Sequence, residues 1–280
     1  MTRRGQPKRR TPAPQPARRP GPVRQTHPTP RPQRGLGGEQ VEGRRAVREL
    51  LAAGRRRTRE VWVAEGVEPA PLLDEIASLA RRRRVPLRHV PRAQLEGAAR
   101  TEAPQGVLAK ADPLPEADLD QLCGPSGGVE PFLLVFDGVT DPRNLGALLR
   151  SGAAAGATGA VLPRHRAAHV TATVAKAAAG AIEHVPMAMV AGVPSALRTL
   201  AGRGVWTVGL DPQAPDSLFD LELADRAVAL VLGAEGTGLS RLVRARCDLL
   251  VAIPQQGAVA SLNVAAAGAV ACFEVARRRA

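Results

Sequence analysis

The alternation of apolar and polar positions predicts helices and strands from residue 39 onward. Residues 41–53 place apolar side chains on one helical face, and Gly54 follows as a stop signal. Residues 71–84 repeat the helical pattern and end in a run of arginines that complements the helix dipole. Short apolar runs indicate strands at residues 60–63, 87–90 and 107–109. Residues 39–111 are therefore predicted to form a compact α/β unit.

A second series of elements begins at residue 132. Residues 132–136 are a continuous apolar run, which is typical of a strand buried on both faces. Further strands are predicted at residues 160–162, 185–190, 205–210, 227–232 and 249–253. Helices are predicted from residue 144 and at residues 171–181, 194–201, 240–244 and 262–277. Because strands alternate with helices, residues 130–280 are predicted to form a mainly parallel sheet covered on both faces.

Composition sets two further segments apart from these units. Residues 112–129 are rich in proline and glycine and are predicted to be a linker. Residues 1–38 hold ten Lys or Arg, nine Pro and no acidic residue. Without them, 29 basic and 26 acidic residues remain, so most of the net charge of +13 comes from this segment. We predict a disordered basic tail, which either binds polyanions weakly or acts as a solubilising leader.

The sequence argues against several classes of protein. No segment reaches the ~18 continuous apolar residues of a membrane span, and the N-terminus lacks the apolar core of a signal peptide. Cys123, Cys247 and Cys272 have neither metal-ligand spacing nor a pairing pattern, so we expect no metal site. These features predict a cytoplasmic protein with reduced thiols and no membrane partner.

Uncommon polar residues follow three strands of the second unit. Asn144 and Asn263, the only two asparagines in the sequence, follow its first and last strands. Glu235 lies in a glycine-rich loop that has neither the Rossmann spacing nor the Walker lysine. Ligands bind at the carboxyl ends of strands in open α/β sheets, so the three loops are candidates for one pocket. Each loop can also be a simple tight turn, which asparagine and glycine favour.

Three longer motifs contain these residues. They are Asp-Pro-Arg-Asn-Leu-Gly-Ala-Leu-Leu-Arg at 141–150, Leu-Gly-Ala-Glu-Gly-Thr-Gly-Leu at 232–239, and Ile-Pro-Gln-Gln-Gly-Ala-Val-Ala-Ser-Leu-Asn-Val at 253–264. One alone would be weak evidence, but the three in this order resemble the SpoU (TrmH-like) family of SPOUT RNA methyltransferases. Residues 43–47 and 105–107 are similar to the small substrate-binding domain of that family. The resemblance covers nearly all of the chain after residue 38.

The resemblance implies more than the pattern of elements does. It implies an α/β SPOUT domain with a deep trefoil knot, preceded by a small L30e-like domain that binds RNA. It also implies S-adenosylmethionine as cofactor and a homodimer with active sites at the subunit interface. The catalytic residues that it implies are Asn144, Arg150, Glu235, Ser261 and Asn263. The cofactor-binding residues that it implies are Gly209, Leu210, Leu232, Gly233, Gly236, Ile253, Gln255 and Leu262.

The implied reaction is methyl transfer to a ribose 2′-hydroxyl, and the subgroup most similar to this chain acts on a guanosine of 23S rRNA. A tRNA substrate and a catalytically silent RNA-binding protein are the alternatives. Arg150 follows Asn144 by six residues, just under two helical turns, so we expect both near one helix face. A guanidinium group keeps its proton in proteins. We therefore expect Arg150 to hold a phosphate and stabilise alkoxide charge rather than act as a base.

Overall fold

Two β-sheets organise the chain in the computed structural model, which describes residues 35–165, 168–222, 226–257 and 261–280. The predicted basic tail lies almost entirely outside the described residues. The part of the chain that is described contains no helix long and apolar enough to cross a membrane.

The smaller sheet is formed by residues 40–111. Its strands are β1 (Gln40–Glu42), β2 (Thr58–Ala64), β3 (Leu87–Val90) and β4 (Val107–Ala111), in the order β1-β4-β2-β3. β4 is antiparallel to both of its neighbours, whereas β2 and β3 are parallel. Helices α1 (Arg44–Ala53) and α2 (Pro71–Arg82) pack on one face, and α3 (Arg92–Ala98) packs on the other. The periodicity did not predict α3, because Leu95 is its only buried residue.

The first predicted helix begins later than the sequence indicates. Residues 40–42 form β1, which pairs with β4, and α1 begins only at Arg44. Gly43 separates them with a φ of 95°, a conformation that a helix interior cannot contain. Val41 is completely buried in the core of the smaller sheet. Its apolar side chain fitted the helical period, but it belongs to a strand.

The larger sheet has seven parallel strands. They are β5 (Phe132–Asp137), β6 (Gly159–Pro163), β7 (Met187–Val190), β8 (Trp206–Leu210), β9 (Asp216–Ser217), β10 (Val228–Gly233) and β11 (Leu249–Ala252). Their order is β7-β6-β5-β10-β8-β11-β9, and all pairings are parallel. The helices are α4 (Leu119–Leu122), α5 (Pro142–Ala154), α6 (Ala172–Ala177), α7 (Val193–Gly202), α8 (Arg241–Arg244) and α9 (Val264–Arg279).

Both faces of the larger sheet are buried, as predicted. Phe132, Leu134 and Phe136 of β5 point into a core shared with α5, α6 and α9. Leu133 and Val135, the alternate residues, point into a second core that α7 and α8 cover. The predicted fold class, a mainly parallel sheet with a small N-terminal α/β unit, is confirmed. A trefoil knot in the larger unit stays a prediction.

The order of the strands determines where loops meet. After β5 the chain moves outward to β6 and β7, and it later returns to the other side of β5 as β10. The boundary between β5 and β10 is therefore a switch point, where loops on opposite sides leave a crevice at the carboxyl ends. The loop after β10 contains Glu235, and Asn144 lies in the first turn of α5, directly after the loop that follows β5.

A buried ion pair joins the two sheets. Arg56, in the loop between α1 and β2, places its Nη2 2.6 Å from Oε1 of Glu183, which precedes β7. Its Nε donates to the other carboxylate oxygen at 3.1 Å, and its Nη1 donates to the carbonyl oxygens of Gly38 and Asp112. Both side chains are almost completely buried. The predicted linker also packs on the larger sheet, since Leu114 and Leu122 are buried.

Candidate functional site

The two asparagines of the chain meet in a hydrogen-bonded ring with Glu235. Nδ2 of Asn144 donates to Oε2 of Glu235 at 2.9 Å. Nδ2 of Asn263 donates to Oδ1 of Asn144 and to Oε1 of Glu235, both at 3.2 Å. Three segments that are far apart in sequence are thus connected by their side chains at the switch point. We call these three residues the amide–carboxylate ring.

Each asparagine is positioned by the N-terminal end of a helix. Asp141 caps α5 by accepting a hydrogen bond from the backbone N–H of Arg143, so Asn144 lies in the first turn and is 8 % exposed. Asn263 is itself the N-cap of α9, because its Oδ1 accepts from the N–H of Ala265 at 2.9 Å. The side chain of Asn263 therefore has two roles: its oxygen caps a helix, and its nitrogen donates within the ring.

The glycine-rich loop after β10 folds back on itself. Ala234 and Gly238 exchange two backbone hydrogen bonds at 3.0 and 2.9 Å, and Gly236 between them has a φ of 80°. A Cβ atom at Gly233 would lie 2.2 Å from the backbone carbon of Gly238, so the loop requires glycine there. Oδ2 of Asp137 accepts from the N–H of Ser240 at 2.7 Å and fixes the far end of the loop.

A cavity of about 440 Å³ opens beside the ring. Most of the predicted cofactor residues line it, together with three predicted catalytic residues. They are Leu210, Leu232, Gly233, Glu235, Gly236, Ile253, Gln255, Ser261, Leu262 and Asn263. Residues 258–260 of the third motif lie outside the described residues. We call this cavity the switch-point pocket; its wall includes apolar residues and two members of the ring, Glu235 and Asn263.

Gly209 is a predicted cofactor residue that does not line the switch-point pocket. A Cβ atom at this position would lie 2.8 Å from Cδ1 of Leu239 and 2.9 Å from Sγ of Cys247. Glycine is therefore needed at this point of β8 because side chains pack closely against the strand. Burial raises the pKa of the neighbouring Cys247 thiol to about 12, so this thiol stays protonated at neutral pH.

Arg150 lies apart from the other predicted catalytic residues. It is exposed near the C-terminal end of α5, and it lines a different cavity together with Arg45 and Ala179. The expectation that Arg150 and Asn144 lie near one face of α5 is not met. Six residues at 100° each leave the two side chains about 120° apart around the helix axis.

Asp211 and Pro212 also line the switch-point pocket, although neither is among the predicted site residues. Asp211 forms an ion pair with Arg244 and accepts from the N–H of Gln213 at 2.8 Å. The sequence feature that indicates Asp211 is its position, because it directly follows β8 at the carboxyl edge of the sheet. The buried Val251 and the partly buried Ala267 also line the pocket, and no feature of the sequence distinguishes them from other apolar residues.

The fold and the site together define a class of protein. A parallel α/β sheet with a glycine-walled pocket at its switch point is typical of proteins that bind a nucleoside-containing ligand. Residues 131–273 match the model of the SpoU rRNA Methylase family, and residues 40–117 match that of RNA 2′-O ribose methyltransferase substrate binding. The chain belongs to the SpoU rRNA Methylase family.

Curated relatives match along most of their length. The chain is 38% identical to the 23S rRNA (guanosine-2′-O-)-methyltransferase RlmB of Photobacterium profundum, over 87% of this chain and 99% of that protein. It is 41% identical to the RlmB of Pseudomonas aeruginosa, over 86% of this chain and 97% of that protein. A putative TrmH family tRNA/rRNA methyltransferase, YacO of Bacillus subtilis, is 37% identical over 85% of this chain and 95% of that protein.

A solved structure shares the fold. The SpoU methyltransferase AviRb of Streptomyces viridochromogenes, in complex with the cofactor AdoMet, aligns with a TM-score of 0.71 and 25% identity. The alignment covers 86% of this chain and 90% of that chain. The likeness therefore extends over both sheets.

Proposed function

We propose that this protein transfers a methyl group from S-adenosylmethionine to the ribose 2′-hydroxyl of a guanosine in 23S rRNA. The observation that carries the proposal is the amide–carboxylate ring of Asn144, Glu235 and Asn263, which stands at the wall of a glycine-lined pocket. Family membership and the names of the RlmB relatives support the same reaction. In this proposal residues 39–111 bind the substrate and residues 130–280 carry the reaction.

The residues of the switch-point pocket fit S-adenosylmethionine. A cavity of about 440 Å³ lies within the ~300–1,000 Å³ range of small-ligand sites. Leu232, Ile253 and Leu262 offer an apolar wall for an adenine ring. Gly236, which is exposed and has open space where a Cβ would lie, leaves backbone polar groups uncovered for the amino-acid and ribose parts. When bound, the cofactor supplies an electrophilic methyl group on a sulfonium centre.

The chain's own residues would act mainly by positioning. Asn144 and Asn263 orient the carboxylate of Glu235, whose two oxygens each accept one of these hydrogen bonds and keep a further lone pair for the substrate. Ser261, beside them on the pocket wall, supplies a hydroxyl for the ribose. Arg150 binds the phosphate next to the reacting ribose and stabilises charge that develops on the 2′-oxygen. Holding the hydroxyl in line with the methyl group lowers the entropic part of the barrier.

In this proposal the active protein is a homodimer, because Arg150 does not line the pocket of its own chain. A second copy would bring its Arg150 to that pocket. Helix α9 supports the pairing, since Val270 and Phe273 are 38% and 52% exposed on the face turned away from the core. Ala266 is exposed on the same face. An apolar stripe of this kind favours burial against another chain.

Mapping 2′-O-methylation tests the function. Ribosomal RNA from a strain that lacks the gene should miss methylation at one guanosine of 23S rRNA. The wild-type gene should restore the signal, and Glu235→Ala should not. Complete methylation of 23S rRNA in the deletion strain would refute the proposed substrate.

A tRNA substrate is the second candidate, because the name of YacO includes tRNA. Purified protein offered unmodified tRNA and unmodified 23S rRNA separately would distinguish the two. The silent RNA-binding alternative predicts that S-adenosylmethionine produces no heat of binding in a titration calorimeter.

A further inference from the structure

A groove runs between the smaller and the larger sheet, away from the switch-point pocket. A cavity of about 940 Å³ and a neighbouring one of about 660 Å³ share Arg45, Leu72, Arg150 and Ala179 in their walls. The two cavities therefore adjoin at these four residues and together form the groove. We call it the junction groove and define its middle by these four residues together with Lys176 and Gln105, which line the larger cavity.

Cations without partners gather in the middle of the junction groove. Arg45 and Arg150 are the only charged residues common to both cavities among the described residues. Lys176 lines the larger cavity with them. Its Cγ lies 3.8 Å from the point that a Cβ atom on Gly43, two residues before Arg45, would occupy. None of the three has an acidic or hydrogen-bonded partner within the described part of the chain. Like charges that face one space repel each other unless an anion lies between them.

Each acidic residue of the groove lines only one of the two cavities. In the smaller cavity, Glu49 is held by Arg48 and His184, and Glu75 is held by Arg48. Glu42, in the larger cavity, accepts from the N–H groups of Arg100 and Thr101. Glu68, Glu96 and Glu102 line only the larger cavity. The positive charge is thus concentrated where the two cavities join.

The backbone is strained at the same place. Gln105 has a φ of 57° and Ala179 a φ of 49°, and they are two of the three non-glycine residues with positive φ in the described chain. Both line the junction groove. Arg44 holds Gln105 in this conformation, since its backbone N–H donates to Oε1 at 3.1 Å and its Nε to the carbonyl oxygen at 3.3 Å. Strained conformations cost about 1–3 kcal/mol each and cluster at binding sites.

We propose that the junction groove holds the ribose-phosphate backbone of single-stranded substrate RNA, with Arg45 and Lys176 contacting phosphates next to the reacting nucleotide. The inference rests on the proposed function and deepens it. Arg45 belongs to α1 of the smaller sheet and Lys176 to α6 of the larger sheet, so the RNA contacts both units. Arg150, in the same wall, then continues the path of phosphates toward the reacting ribose.

To test the proposal, we would measure the equilibrium affinity of the protein for in vitro-transcribed 23S rRNA at several KCl concentrations. The variants are Arg45→Gln, Lys176→Gln, their combination and the control Arg198→Gln. Arg198 is an exposed cation on α7, on the opposite face of the larger sheet, so its replacement changes the net charge equally. The full chain is used, and an unchanged Tm verifies that each variant is folded.

Each groove variant should weaken RNA binding about fivefold, and the slope of log K against log salt should fall by about 0.7 per lost phosphate contact. The double variant should lose about twice that slope, while Arg198→Gln matches the wild type. KM for RNA should rise, with affinity for S-adenosylmethionine unchanged. Groove variants that bind RNA with the affinity and slope of Arg198→Gln would overturn the inference.

The same measurements separate this inference from the proposed function. If the wild type binds RNA through Arg45 and Lys176 but methylates no 23S rRNA, the proposed function fails and the groove stands. If the wild type methylates 23S rRNA and the groove variants bind and react as well as the control, only the groove fails.

Discussion

At the scale of single residues, the hydrogen bonds of the amide–carboxylate ring depend on which side-chain atoms are donors and which are acceptors. Asn144→Asp replaces a donor that faces Glu235 with an oxygen, so two negative oxygens meet. We expect this variant to lose about 1–3 kcal/mol of unfolding free energy and about a hundredfold in methyl transfer through misplacement of the site. Urea denaturation and a transfer assay measure the two effects.

The double variant Asn144→Asp with Glu235→Gln exchanges donor and acceptor and conserves charge. Residue 144 then accepts from residue 235, and Asn263 can still donate to both. We expect stability to return to within about 0.5 kcal/mol of the wild type, which a double-mutant cycle measures. Restored activity would mean that the ring only braces the loops. Restored stability with lost activity would mean that the Glu235 carboxylate itself contacts the substrate, and stability that does not return would contradict the ring.

At the scale of elements, helix α9 contains a titratable group with an unusual pKa. A hydrogen bond from Arg277 lowers the pKa of Glu274 from 4.5 to about 2; burial opposes the shift, and Arg278 adds to it. Because the folded pKa lies below the unfolded one, this stabilisation is present above pH ~4.5 and is lost as the pH falls toward 2. We expect a loss on the order of 1 kcal/mol, since the exposed Arg277 is screened.

Denaturation of the wild type and of Glu274→Gln between pH 7 and pH 2.5 measures this contribution. The variant should be less stable at pH 7 and should show a shallower fall below pH 4.5. Parallel curves for the two proteins would exclude the assignment to Glu274.

The sequence predicted which helices and strands exist better than it predicted where each begins and which of them come into contact. The apolar run of β5 was decisive, because a strand buried on both faces needs no alternation to be identified. Val41 was placed in a helix because its fit to the helical period does not reveal that β4 lies beside it. Asn144 and Asn263 are joined across the switch point by a strand order that local patterns do not contain. Their positions after parallel strands made them candidates for one pocket, and the resemblance added the roles of the individual side chains.

At the scale of the whole molecule, Arg56 and Glu183 join the two sheets. Glu183→Ala leaves the Arg56 guanidinium buried without its carboxylate, which should cost about 3–5 kcal/mol of unfolding free energy. The matched control is Asp112→Asn, which removes the exposed pair with Arg59 and should cost about 0–1 kcal/mol. Equal losses in the two variants, measured by urea denaturation, would contradict a buried link between the sheets.

The proposed dimer predicts complementation between two inactive variants. Arg150→Ala and Glu235→Ala should each abolish methyl transfer, and each should still fold, because both positions are exposed. If Arg150 serves the pocket of the other chain, a mixed dimer contains one site with both residues intact and one site with neither. Unfolding the two variants together and refolding them at equal amounts should then restore about a quarter of the wild-type activity, since half of the dimers are mixed.

Refolding each variant alone is the control, and it should restore nothing. A site completed within one chain gives a different outcome, because each pocket of a mixed dimer then lacks either Arg150 or Glu235, and the mixture stays inactive. Size-exclusion chromatography of the same samples verifies that dimers have formed. A dimeric mixture without activity would place Arg150 in the site of its own chain, which requires α5 to move from the position in which Arg150 lines the junction groove.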